Sequence, residues 1–241
     1  PVSDYTIFSP TGVTASAWVK QKQKFVLPIR TYHDMDSDPF SSIAGGLSQV
    51  NEVGEGAGVQ IIALPARPGA RAKIQSVIKK LRKGESFSKA TQSSFSFEGI
   101  SDALSLQKKD ESGMGDRDRI IEETALKALE EKVSRPLFRV NVRLVTSSPT
   151  KEKAESLLQG ISSGFSQFGA PDRNEFKLVR GSKKLLHLFS FREFSSEQEM
   201  ILNSTECASL FHFPTPFFEI PRVKSLKAKQ APAPTELPRE G

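Results

Sequence analysis

Few residues in this chain of 241 are of types that do chemistry, and their spacing decides which of them could act together. Cys207 is the one cysteine, and His33, His187 and His212 are the three histidines. A thiol and an imidazole can serve as nucleophile and base. On a helix, however, the offset from Cys207 to His212 sends the two side chains to different faces, and no third group is spaced to orient the imidazole. His33 and His187 have no spaced partners and read as surface or core polar residues. A single cysteine also excludes an internal disulfide and a multi-cysteine zinc site. Asp34, Asp36 and Asp38 alternate as in a calcium loop, but Pro39 stands where that loop needs glycine and Gly45 where it needs a bidentate glutamate. Asn51 to Gly58 is rich in glycine, yet Val59 and Gln60 follow in place of the Lys-Ser/Thr pair of a phosphate loop, and Glu52 and Glu55 repel phosphate. Glu122, Glu123, Glu130 and Glu131 come as sequence neighbours that diverge around a helix, so they read as solvated rather than as a catalytic dyad. No catalytic or metal-binding residue emerges.

One cluster could still bind. Arg71, Lys73, Lys79, Lys80, Arg82 and Lys83 surround the apolar stripe Ile74, Val77, Ile78 and Leu81 of a helix predicted over 70–83. These six are the candidates for contact with nucleic acid or an acidic membrane surface; lysine stems lying over an ordinary helix are the alternative. The net charge of +6 is a mild excess that identifies no partner by itself. No run approaches the roughly 18 apolar residues of a membrane span, and no charged-then-apolar signal opens the chain. The opening at Pro1 and the Pro- and Lys-rich end lead us to expect a soluble segment of a longer protein, and the lone cysteine a reducing compartment.

The elements that would position these residues follow from periodicity and punctuation. A short strand is expected at 5–8 and a strand or hairpin over 17–32, with Pro28 marking an edge or bulge. Asp38 caps a helix beginning at Pro39, with Phe40, Ile43, Ala44 and Leu47 buried. A turn then leads into a strand at 59–64. Residues 84–115 are poor in apolar residues and are expected to be a mobile insertion, with a short helix near 100–106. A helix over 118–133 buries Ile121, Ala125, Ala128 and Leu129. Phe138, Val140, Val142 and Leu144 alternate with Arg139, Asn141, Arg143 and Val145, the period of a half-buried strand. Ser148 is expected to cap the next helix, whose stripe is Ala154, Leu157, Leu158, Ile161, Phe165 and Phe168. Strands are expected at 176–179 and 185–194. This order predicts an α+β fold, a ferredoxin-like two-layer sandwich with a mostly antiparallel sheet and helices on one face. The aromatic signature of RNA-binding domains with that layout is missing from Phe138 to Val142.

Met200 to Pro216 reads as a short helix capped by Ser204 or Thr205, anchored by Leu210, Phe211 and Phe213 and stopped by Pro214 and Pro216. Here the residues also carry a family likeness. Leu202 to Glu206 followed by Ala208 to Pro214 resembles the segment preceding the motor domain in type IV secretion and conjugative-transfer ATPases of candidate-phyla bacteria. Leu27 to Tyr32, Asp38 to Phe40, Gly54 to Ala57, Glu130 to Pro136 and the proline-rich 231–241 agree with it. The resemblance implies a non-catalytic assembly domain over 1–199, with the insertion at 84–115. It further implies a capped helix and hinge at 200–216, where Thr205, Glu206, Leu210, Phe211, Phe213 and Pro214 act as anchors, and a linker at 217–241 leading to a motor. It implies no cofactor in this segment, with ATP and magnesium held in the motor. The implied partners are a hexamer formed through the parent ATPase, membrane-embedded secretion components at the inner face of the cell membrane, and DNA. Cys207 departs from the family, which usually has a second acid there.

Overall fold

In the computed structural model, which describes residues 7–8, 12–50, 53–95 and 116–212, one strand organises the fold. This is β3 (Leu137–Ser148), the long alternating run. β2 (Gly56–Pro65) lies antiparallel along one side of it, from Gly56 opposite Ser147 to Pro65 opposite Phe138. On the other side β1 (Val13–Gln21) covers the Arg143 to Ser148 end and β5 (Met200–Asn203) the Leu137 to Val140 end. β4 (Phe176–Arg180) adds to the outer side of β1. The order β2-β3-β1-β4, all antiparallel, is the ferredoxin-like arrangement, and the α+β sandwich expected from the sequence is the fold observed.

The two crossover helices, α1 (Pro39–Leu47) and α5 (Lys151–Ser163), pack on one face against Val19, Val140, Val142, Leu144 and Leu202. Asp38 accepts the Phe40 amide and Pro39 occupies the first turn, as the sequence required. The helices approach closely at Gly46. A Cβ on Gly46 would lie 2.6 Å from the Ile161 Cα, a backbone atom that no rotamer change can move, whereas Gly45 faces open space. Gly46→Ala should therefore lose about 1–3 kcal/mol in denaturant unfolding, while Gly45→Ala should gain up to about 1 kcal/mol from helix propensity.

Between β2 and β3, where a hairpin turn would suffice, the chain inserts α2 (Pro68–Leu81), α3 (Phe87–Phe95) and α4 (Asp116–Ser134). Ile74, Val77, Ile78, Ala90 and Leu129 form a second core with Val26, Leu137 and Ile201. The described part of 84–115 thus contains a helix, with Phe87 packed against this core. The helix expected near 100–106 lies outside the described residues.

Several local expectations are corrected. β1 ends at Gln21, and 22–31 crosses the structure without strand pairing of its own, pinned by Asn174, whose amide nitrogen donates to the Gln23, Lys24 and Leu27 carbonyls. Ile7 and Phe8 are not in a strand, and the rest of 5–8 lies outside the described residues. The cap of α5 is Thr150, which accepts the Lys153 amide, because β3 runs on through Ser148. The segment read as a strand at 185–194 is α6 (Lys183–Ser190), followed by a turn through Arg192 at φ 53°. Met200–Asn203 is a strand, and the short helix α7 (Ser204–Leu210) takes its cap from Asn203 rather than from Ser204 or Thr205.

β3 is not half-buried but buried on both faces. The crossover helices cover Val140, Val142 and Leu144, while α6 and 191–198 cover Asn141 and Arg143 on the other side. All five N–H groups of the Arg143 guanidinium find acceptors. Nε donates to Gln198 Oε1, Nη1 to Gln60 Oε1 and the Leu188 carbonyl, and Nη2 to Asn141 Oδ1 and the Glu193 carbonyl.

Candidate functional site

A fully buried ion pair lies where α4, β5, α7 and the 27–32 segment converge. Asn203 Oδ1 accepts the Glu206 amide while Glu206 Oε2 accepts the Asn203 amide, a capping box that satisfies two otherwise orphaned donors. Glu206 does more than cap. Its Oε1 accepts the Ile29 amide at 3.0 Å and the Lys132 ammonium at 3.1 Å, and Lys132 donates as well to the Ile201 carbonyl at 3.0 Å. Both side chains are fully buried. Burial pulls the Lys132 ammonium below its ordinary pKa, an effect opposed by the Glu206 charge and hydrogen bond. One turn on, Ser209 Oγ accepts the Tyr32 amide and donates to the Thr205 carbonyl. Leu210 closes the first core, and Phe211 meets Phe40 edge-to-face.

Glu206 and Leu210 are thus held in the core, Thr205 is buried beside them, and Phe211 is exposed at the rim. Met200–Leu210 is integral to the sheet and core; Phe213, Pro214, Pro216 and the linker over 217–241 lie outside the described residues. Cys207 and His212 do not meet as nucleophile and base. His212 Nε2 lies 2.9 Å from Asp38 Oδ1, an acid distant in sequence, while Cys207 packs against the first core. Burial, reinforced by the Glu206 charge, pushes the Cys207 thiol up to about 12. A thiol reagent at pH 8 should therefore label Cys207 much more slowly in the folded protein than in denaturant. The sign for stability follows: the unfolded thiol ionises near 9.0 and the folded one near 12, so this contribution is complete below 9.0 and is lost as pH rises toward 12. Cys207→Ala should flatten that decline.

The three aspartates do not converge. Asp34 accepts the Thr31 amide and hydroxyl, and Asp38 caps α1. Among the described residues no three His, Cys, Asp or Glu side chains are grouped to hold a metal ion, and no helix is long and apolar enough to cross a membrane. Nor do the six basic residues of α2 and its end form one free array. Arg71 donates to the Val133 and Arg135 carbonyls at the end of α4, and Arg82 pairs with Glu130. Lys73 and Lys80 are half-buried with contacts of their own, while Lys79 and Lys83 are exposed beside a shallow depression lined with Gln75 and Ile78.

Lys132 and Arg143 were missed in the sequence for different reasons. Lys132 falls three residues after Leu129 and seven after Ala125, on the buried stripe of α4, so periodicity alone could have singled it out. Arg143 shares its strand face with Arg139 and Asn141, and that pattern does not distinguish solvent from a second covering layer.

No curated protein and no solved structure matches the chain. A family model described as a domain of unknown function, DUF8128, matches residues 7–225, and the chain belongs to that family.

Proposed function

We propose that this domain is a non-catalytic assembly and docking module, the role implied by its resemblance to the pre-motor region of type IV secretion and conjugative-transfer ATPases. One observation carries the reading: the exit of the chain is fixed to the centre of the fold. The last described helix is tied through Glu206 to Ile29, Lys132 and Asn203, and β5 feeds it directly from the sheet. A domain whose last described helix is anchored in this way can orient whatever follows it and transmit load to its own docking surface. The ionisable groups at the core are consumed by these internal bonds, which suits support rather than turnover.

On this reading the partners are copies of the parent ATPase and membrane-embedded components at the inner face of the cell membrane, with ATP and magnesium bound in the motor. Reading the gene onward from Gly241 tests it. A G-x-x-x-x-G-K-S/T motif within the next few dozen codons is the expected result, and its absence would end the proposal.

A further inference from the structure

The face of the β1–β4 pair turned away from the crossover helices carries a charge arrangement that the fold itself does not use. In W-V-K-Q-K at 18–22 every second residue shares a face, and Val19 and Gln21 are the ones buried on the other side. Trp18, Lys20 and Lys22 therefore line up along this face of the sheet. In the β4 register Val179 stands opposite Trp18, and Lys177 stands directly opposite Lys20. Both Lys20 and Lys177 are exposed. Like charges directly opposite across two strands repel and destabilise the sheet. Lys22 continues the line and pairs with Glu175 at 2.5 Å, the acid on this stretch; Lys184 and Glu197, from the layer that covers Arg143, pair with each other. The Lys20 ammonium lies over the Trp18 ring, 5.9 Å from its centroid.

We propose that this face binds single-stranded nucleic acid, with phosphates drawn to Lys20 and Lys177 and a base stacked on Trp18 once Lys20 swings off the ring. Charge complementarity calls for a polyanion, and the part-exposed indole on the same face selects one with free aromatic rings. A duplex hides its bases, and an anionic bilayer offers no aromatic ring to stack on the part-exposed indole. The proposal is independent of the assembly reading and of α2.

Trp18 is the only tryptophan, so its fluorescence reports the event directly. Titrating the full chain with oligo(dT) at low salt should quench it, and log Kobs should fall with log salt at a slope between about −1.4 and −2.1 for two or three phosphates. Lys20→Gln with Lys177→Gln should weaken binding at least tenfold while leaving the melting temperature unchanged or raised, since a repulsion is removed. Lys79→Gln with Lys83→Gln should leave affinity unchanged. Several results would overturn the proposal: no quenching at low salt, equal affinity for a duplex of the same length, or binding confined to phosphatidylserine vesicles. Loss of binding in the α2 variant, but not in the strand variant, would do so too.

Discussion

Replacing Lys132 with methionine should destabilise the domain by about 3–5 kcal/mol, because the Glu206 carboxylate would remain buried without its counter-charge. Glu206 would keep the Ile29 and Asn203 amides, and the Ile201 carbonyl would lose its donor. Denaturant unfolding of the single variants and of Lys132→Met/Glu206→Gln forms a double-mutant cycle. The double variant should be less damaged than the sum of the singles by roughly 2 kcal/mol, since each single strands its partner and the pair does not. Additive losses would mean that the two side chains act separately, against the geometry. In Lys132→Met the thiol of Cys207 gives a second readout: loss of the neighbouring ammonium disfavours the thiolate, so a faster labelling rate there reports more frequent opening of the anchored helix.

Arg143→Leu should be comparably severe, at about 3–5 kcal/mol, for a different reason. Leucine takes the donor from Gln60 Oε1, Gln198 Oε1 and the Glu193 carbonyl, while Asn141 Oδ1 keeps the Ser195 amide and the Leu188 carbonyl keeps the Glu193 amide. Arg143→Lys separates charge from geometry. Its ammonium offers three donors from a single point, where the guanidinium offers five in a flat fork, so it should recover part of the loss and no more. If the lysine variant melts with the wild type, charge alone suffices and the fork contributes nothing. Protection of the α6 amides in hydrogen exchange should fall in both variants, because α6 and 191–198 are held to the sheet through this side chain.

What could be read in advance was what depends on local chemistry. Asp38 before Pro39 specifies a cap wherever it lies, and the stripe from Ala154 to Ile161 specifies a helix whichever surface it meets. The alternation in β3 announced a strand, and the strand-helix order announced the sandwich. What failed depends on neighbours brought in from far along the chain. Leu185 to Phe191 is apolar enough to satisfy both a two-residue and a helical period over so short a span, and it is the Arg143 layer beneath that accepts a helix there. Met200–Asn203 is too short to declare itself and becomes a strand because the Leu137 end of β3 needs a partner beyond β1. The candidate anchor was legible by halves. Glu206 was named among the anchor residues, but its counter-charge sits on another helix that nothing in the local sequence connects to it.

The position of β3 has a consequence for synthesis on the ribosome. β1 and β2 emerge first, yet among the described residues β2 pairs only with β3, and β1 only with β3 and β4. Until residue 148 has cleared the exit tunnel, neither early strand has its full complement of partners, and both offer unpaired edges to other nascent chains. The helices α2 to α4, whose contacts are close in sequence, are free to form during that wait. The lock between Lys132 and Glu206 comes last of all, so the newly made domain becomes secure only when almost all of its described length has been delivered.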